Sequence, residues 1–109
     1  MNSSELAQEM RVLEQQRQQL VMQRQSLQFE ENQIVNATVE VKKTNDDVYR
    51  MLSGAMIKTS KPELLKELED KQKTITIHLV AIDKQEKLLD SRLSELQKEL
   101  KDALTSKKK

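Results

Sequence analysis

The sequence predicts a mainly α protein, a long antiparallel coiled-coil hairpin carrying one central β-hairpin that joins a β-barrel built between subunits. Three observations point there. Aliphatic residues recur at seven-residue spacing along two long stretches. Between those stretches, near the midpoint of the 109 residues, "VYRMLSGAMIKT" (Val48 to Thr59) reads as two short strands around a Ser-Gly turn. The composition closes off the alternatives: 34% charged and 36% hydrophobic residues, one Phe and one Tyr supply too little apolar bulk for a thick globular core, while the periodicity of what there is excludes a disordered chain. One domain over 1–109 is expected, with helix over about 3–43, the β-hairpin over about 48–59, helix over about 61–104 and a C-terminal tail at 105–109.

In the first helix Leu6, Leu13, Leu20, Leu27, Ile34 and Val41 form an unbroken heptad line. Taking them as d positions puts Met10, Arg17, Arg24, Glu31 and Thr38 at a, so one edge of the seam is apolar and the aliphatic stems of long side chains cover the other. Lys42, Lys43 and Asn45 then end the helix, the cations complementing its negative C-terminal dipole.

"SKPE", residues 60–63, starts the second helix. Ser60 caps, Pro62 is tolerated in the first turn, and Glu63 completes a Ser-x-x-Glu capping box. Leu65, Leu79, Leu93 and Leu100 occupy a, with Gln72 and Glu86 as polar interruptions; Leu68, Ile75, Ile82, Leu89, Leu96 and Ala103 occupy d. Each helix of about 40 residues measures about 60 Å at 1.5 Å per residue. Folding the chain back on itself pairs Leu6 with Leu100, Leu13 with Leu93, Leu27 with Leu79 and Val41 with Leu65 in one register, which a two-residue turn at Ser53-Gly54 meets within one residue. The alternative is two separate intermolecular coiled coils. Glu86 then approaches Leu20 and Arg24, a polar layer that fixes register.

In the middle, the Ser-Gly turn sets Leu52 opposite Ala55, Met51 opposite Met56, Arg50 opposite Ile57 and Tyr49 opposite Lys58. Val48, Leu52, Ala55 and Ile57 share one face; Tyr49, Met51 and Met56 share the other, with Arg50 and Lys58 snorkelling at the edges. Neither face is fully polar. A lone two-stranded hairpin is marginal in water and has two unpaired edges, so further strands must come from other chains. The break between the helices therefore reads as an assembly device, against the alternative of an irregular loop. The apolar residues Val35, Val39 and Leu64, off the seam and close to the strands, are expected to pack beneath them or against a neighbouring chain.

Helix, "VYRMLSGAMIKT", helix, with "ENQIVN" (Glu31 to Asn36) late in the first helix, resembles a prefoldin subunit of the β class over almost the whole chain. The resemblance rests on Val48-Tyr49-Arg50, Gly54, the apolar-apolar-Lys run after it, and Glu-Asn-x-x-Val; the second strand, Ala55-Met56-Ile57, is less β-branched than is usual in the family. The Glu-Asn-x-x-Val element leans toward the eukaryotic sixth-subunit type, with the second-subunit type and archaeal β subunits open. The resemblance implies a hexamer of two α-class and four β-class chains joined through Val48, Tyr49, Met51, Leu52, Gly54, Met56 and Ile57. It implies a co-chaperone without ATP or other cofactor, not an enzyme, whose coiled-coil tips hold unfolded proteins such as actin and tubulin and pass them to a group II chaperonin. The tip residues here are Leu6, Met10, Leu13, Leu93, Leu96, Leu100 and Leu104. If the last turns fray, these seam residues become available to a client; the alternative is that they only close the seam.

Other functions find little support. Net charge is +1 with acids and bases interspersed, which argues against nucleic-acid and membrane-surface binding. No cysteine is present, and His78 has no second His for a metal site; it reads as a solvated helix residue. No apolar run approaches a membrane span and "MNSSELAQEM" is unlike a signal peptide, so a cytoplasmic protein is expected. A structural coiled-coil adaptor binding folded partners is the competing class.

Overall fold

The computed structural model describes residues 2–106. Four elements follow in order: α1 (Ser3–Lys43), β1 (Val48–Leu52), β2 (Ala55–Thr59) and α2 (Lys61–Ser106). The two strands form one antiparallel two-stranded sheet in the register Val48↔Thr59, Tyr49↔Lys58, Arg50↔Ile57, Met51↔Met56, Leu52↔Ala55. This is the mainly helical architecture with a central β-hairpin that the heptads and the Ser-Gly turn predict.

Helix ends are set by local hydrogen bonds. Asn2 caps α1: its Oδ1 accepts from Glu5 N at 2.8 Å while its Nδ2 donates to Glu5 Oε1 at 3.1 Å, a reciprocal pair that satisfies one of the orphan N–H groups. At the other end Lys61 Nζ donates to the carbonyls of Lys42 and Thr44, at 3.2 and 2.8 Å, covering acceptors that α1 leaves free. Ser60 Oγ accepts from Glu63 N at 3.3 Å and so caps α2. The Glu63 side chain, however, accepts from Thr59 Oγ1 at 3.1 Å, tying the last strand residue to the first helical turn. At its C-terminus α2 includes residues 105 and 106, expected as tail: no Gly or Pro stops it, and Thr105 Oγ1 bonds back to Lys101 O at 2.8 Å. Residues 107–109 of that tail lie outside the described residues.

Two compact units divide the chain: Met1–Gln25 with Val80–Lys109, and Ser26–Leu79. In the first, Leu6, Ile82, Leu93 and Leu96 are buried, and Met10, Leu13, Leu20, Leu89, Leu100 and Ala103 are half-buried. In the second, Ile75 and Val48 are buried, and Leu27, Ile34, Thr38, Val41, Leu65, Leu68 and Leu79 are half-buried. Every a and d position assigned from the sequence is thus turned at least partly from water. Thr38 is accommodated there because its hydroxyl donates to Ile34 O at 2.8 Å, within its own helix.

Candidate functional site

The hairpin turn is built by two consecutive residues with positive φ, Ser53 at 51° and Gly54 at 82°. That is the combination a type I′ turn requires, and it matches the twist of the flanking strands. From this turn the side chains alternate between two faces. On the face shared by Val48, Arg50, Leu52, Ala55, Ile57 and Thr59, Val48 is buried and Arg50 and Thr59 are half-buried, whereas Leu52, Ala55 and Ile57 are exposed. On the opposite face Tyr49 is exposed, and Met51 and Met56, directly paired, are 69% and 68% exposed. All seven residues assigned to assembly therefore lie on this one element, and five of the six with side chains stand open.

Beside the sheet, within the same unit, lies a groove of about 730 Å³. Leu27, Ile34 and Ile75 form its apolar wall, Glu63, Glu67 and Lys71 part of its charged side, and Arg50 and Thr59 close it from the hairpin. Arg50, expected to snorkel at a strand edge, lines this groove. Its residue is half-buried and its Nε is sealed from solvent without an acceptor. Val35 and Val39 of α1 are exposed and Leu64 is half-buried.

The residues assigned to client contact all lie in the other unit. Leu96 is 0% and Leu6 2% exposed; Leu93 is buried; Met10, Leu13 and Leu100 are half-buried; only Leu104 is open, at 48%. Cross-helix ion pairs flank them. Arg24 Nη1 donates to both Glu86 carboxylate oxygens, with the contact to Oε1 at 2.6 Å, which is the polar layer expected from the heptads. Arg17 Nε reaches Asp90 Oδ1 at 2.6 Å and Arg92 Nη2 reaches Glu9 Oε1 at 3.1 Å, two pairs that the sequence reading missed because neither lies wholly on the a and d lines. The hydrogen bonds that Arg92 donates to Glu9, then to Glu95, raise its pKa above the ordinary guanidinium value. His78 is exposed on α2. Among the described residues no cluster of His, Cys, Asp or Glu suits a metal ion, and no helix is long and apolar enough to cross a membrane.

Comparison with known proteins fits this geometry. The sequence model of the family described as prefoldin subunit matches residues 4–107. The chain belongs to the prefoldin subunit family, β type. It is 35% identical over 97 residues to the prefoldin subunit beta of Methanosarcina acetivorans, covering 87% of this chain and 83% of that one. With the prefoldin subunit beta of Pyrococcus furiosus it shares 31% identity, over 84% and 80% of the two chains. The crystal structure of the prefoldin beta subunit from Thermococcus strain KS-1 superposes with a TM-score of 0.87 at 29% identity, covering 94% of this chain and 91% of that chain. Prefoldin subunits are non-enzymatic chaperone subunits that form hetero-oligomers with one another.

Proposed function

We propose that this chain is one β-class subunit of a cytoplasmic hexamer of two α-class and four β-class chains. The hexamer holds unfolded polypeptides, actin and tubulin among them, at its helix ends and transfers them to a group II chaperonin without ATP. The observation that carries the assembly half is the two-stranded sheet, whose edges have no partner among the described residues and whose Met51, Leu52, Met56 and Ile57 are exposed. A hairpin in that state reaches stability by joining strands from other subunits, and its exposed faces become the interior of the shared barrel. The client half assigns Leu6, Met10, Leu13, Leu93, Leu96, Leu100 and Leu104 to unfolded chains. Since all but Leu104 are at least half-buried, clients gain access when the last turns separate, with Leu104 as the first contact.

That same closure supports a second reading, in which the helices are a structural adaptor for folded partners and the terminal leucines only hold the seam. One experiment separates the two. Residues 1–10 and 97–109 are removed from every β-class chain of the complex, and aggregation of a denatured protein is followed by light scattering. The co-chaperone reading expects a hexamer of correct mass that protects the client poorly. Full protection by a correctly assembled truncated complex overturns client binding at the helix ends.

A further inference from the structure

Arg50 stands out among the charged groups of the hairpin unit. It lies on β1, half-buried, and lines the groove beside the sheet, yet among the described residues it takes part in no ion pair, and its Nε is shut from water with no acceptor. Four acids line the same groove, Glu30, Glu63, Glu67 and Asp70, and none of them forms an ion pair with Arg50; Glu63 accepts from Thr59 Oγ1 at 3.1 Å and Glu67 pairs with Lys71 at 3.7 Å. A guanidinium N–H removed from water without an acceptor destabilises the state that contains it. Among the described residues, Arg50 Nε thus has no acceptor, although carboxylates share its groove.

We infer that a neighbouring subunit supplies that acceptor, placing a carboxylate with an apolar side chain beside it into the groove at Arg50. This rests on the reading that the hairpin is the assembly joint. Three features select that occupant. The planar fork of a guanidinium fits the two oxygens of a carboxylate, and such pairs are among the strongest charge-assisted hydrogen bonds. The groove wall of Leu27, Ile34 and Ile75 is apolar, so the carboxylate arrives with aliphatic or aromatic company. Arg50 and Thr59 belong to the very strands that carry assembly, so the groove is continuous with the pairing element and a subunit docked on the sheet reaches it. The sheet supplies backbone pairing, which any strand accepts; Arg50 adds a side-chain test of which subunit is seated there.

The full-length chain is reconstituted with its companion prefoldin subunits and association is measured over a range of salt. Arg50→Met keeps an apolar stem and deletes the guanidinium; association should weaken roughly 10- to 100-fold and become less sensitive to salt, while the isolated chain melts at the same temperature or higher. Wild-type association and salt response overturn the inference, as does a lower melting temperature with association unchanged, which would assign the guanidinium to the chain's own fold. Arg50→Lys supplies a second measurement: zero-length carbodiimide coupling in the assembled complex should join position 50 to an Asp or Glu of a neighbouring subunit. Coupling confined to acids of the same chain overturns it. Ile57→Asp, run in parallel, tests the underlying joint: if it blocks assembly while Arg50→Met does not, this inference fails alone, and if neither blocks assembly, the joint itself is wrong.

Discussion

The hairpin unit and the unit containing both termini dispose of their apolar side chains in opposite ways. Met51 and Met56 face each other across the sheet, two-thirds open to water, whereas Leu6 and Leu96 are shut away almost completely. Residue type does not explain this, because both regions spend large aliphatic side chains freely. Geometry does. Helices at heptad spacing bury a single stripe and need only the other arm of the same chain, while a two-stranded sheet has two faces and two edges, and two helices close neither fully. An open region of this kind advertises a permanent partner, and a closed one admits only a partner able to separate it. The proposed assembly element and the proposed client element of this prefoldin subunit therefore differ in what must happen before each is used.

The largest expected effect breaks the open side of that comparison. Ile57→Asp puts a charge on a strand face that assembly must dehydrate, and complex formation should be lost outright, as read by the mass of the reconstituted complex. Because Ile57 is exposed in the chain itself, the helical circular dichroism of the isolated subunit should stay within the small range of ordinary surface changes. Assembly at wild-type level would show that the hairpin is not the joint.

The closed side is probed by Leu96→Ala against Met56→Ala, both measured on the isolated chain at one fixed concentration, since exposed hairpins associate. Truncating the fully buried Leu96 removes packed methyl groups and leaves a cavity, a loss of about 2–4 kcal/mol that should appear as a lower urea midpoint. Met56→Ala, with its side chain largely in water, should change the midpoint little and weaken assembly instead. Equal effects of the two on the isolated chain would erase the contrast.

How much of this was readable follows from the range of the interactions involved. The heptads name the half-buried stripe of both helices correctly because each a or d residue needs only its own helix phase, and the hairpin register follows from a turn two residues long. The reciprocal Asn2–Glu5 cap is equally local and could have been found from Asn-x-x-Glu at the start of α1. Arg50 could not. Its phase on the strand is legible, but whether that phase meets water or a groove depends on where α1 and α2 stand relative to the sheet, and the same uncertainty separates buried Val48 from exposed Leu52 on one face. Lys61 bonding to the carbonyls of Lys42 and Thr44 is hidden for the same reason, being a contact between residues brought together only once the chain has turned back.

A smaller effect belongs to the polar layer within the closed unit. Glu86 is buried and receives both hydrogen bonds of the pair from Arg24, whose side chain keeps about a third of its surface in water. Glu86→Ala strips the acceptor and should cost about 1–3 kcal/mol, moderated because Arg24 retains a path to solvent. Replacing both together by Leu should be near neutral or stabilising, since two dehydrated charges give way to apolar packing. If the double variant is instead as unstable as the single one, the pair stabilises the seam by more than its own neutralisation. The exposed Arg17–Asp90 pair should be worth no more than about 1 kcal/mol by the same cycle.

The smallest expected change sharpens the comparison from the open side without touching a single apolar contact. Ser53 holds φ at 51°, a left-handed conformation that Asn tolerates better than Ser, and Gly54 at 82° already suits its place in the turn. Ser53→Asn should therefore favour the type I′ geometry by about 0.5 kcal/mol and raise the melting temperature of the assembled complex by a degree or two. The reciprocal change, Gly54→Ala, meets no atom within 4 Å, so any loss it causes comes from the backbone conformation alone. That loss should be about 1 kcal/mol and confined to the hairpin. In both variants the helical signal and urea midpoint of the isolated chain should hardly move, because the turn adds nothing to the seams of α1 and α2. A helical midpoint that followed the turn substitutions would mean that the two regions unfold as one cooperative body, and that the hairpin stabilises the coiled coil before any partner arrives.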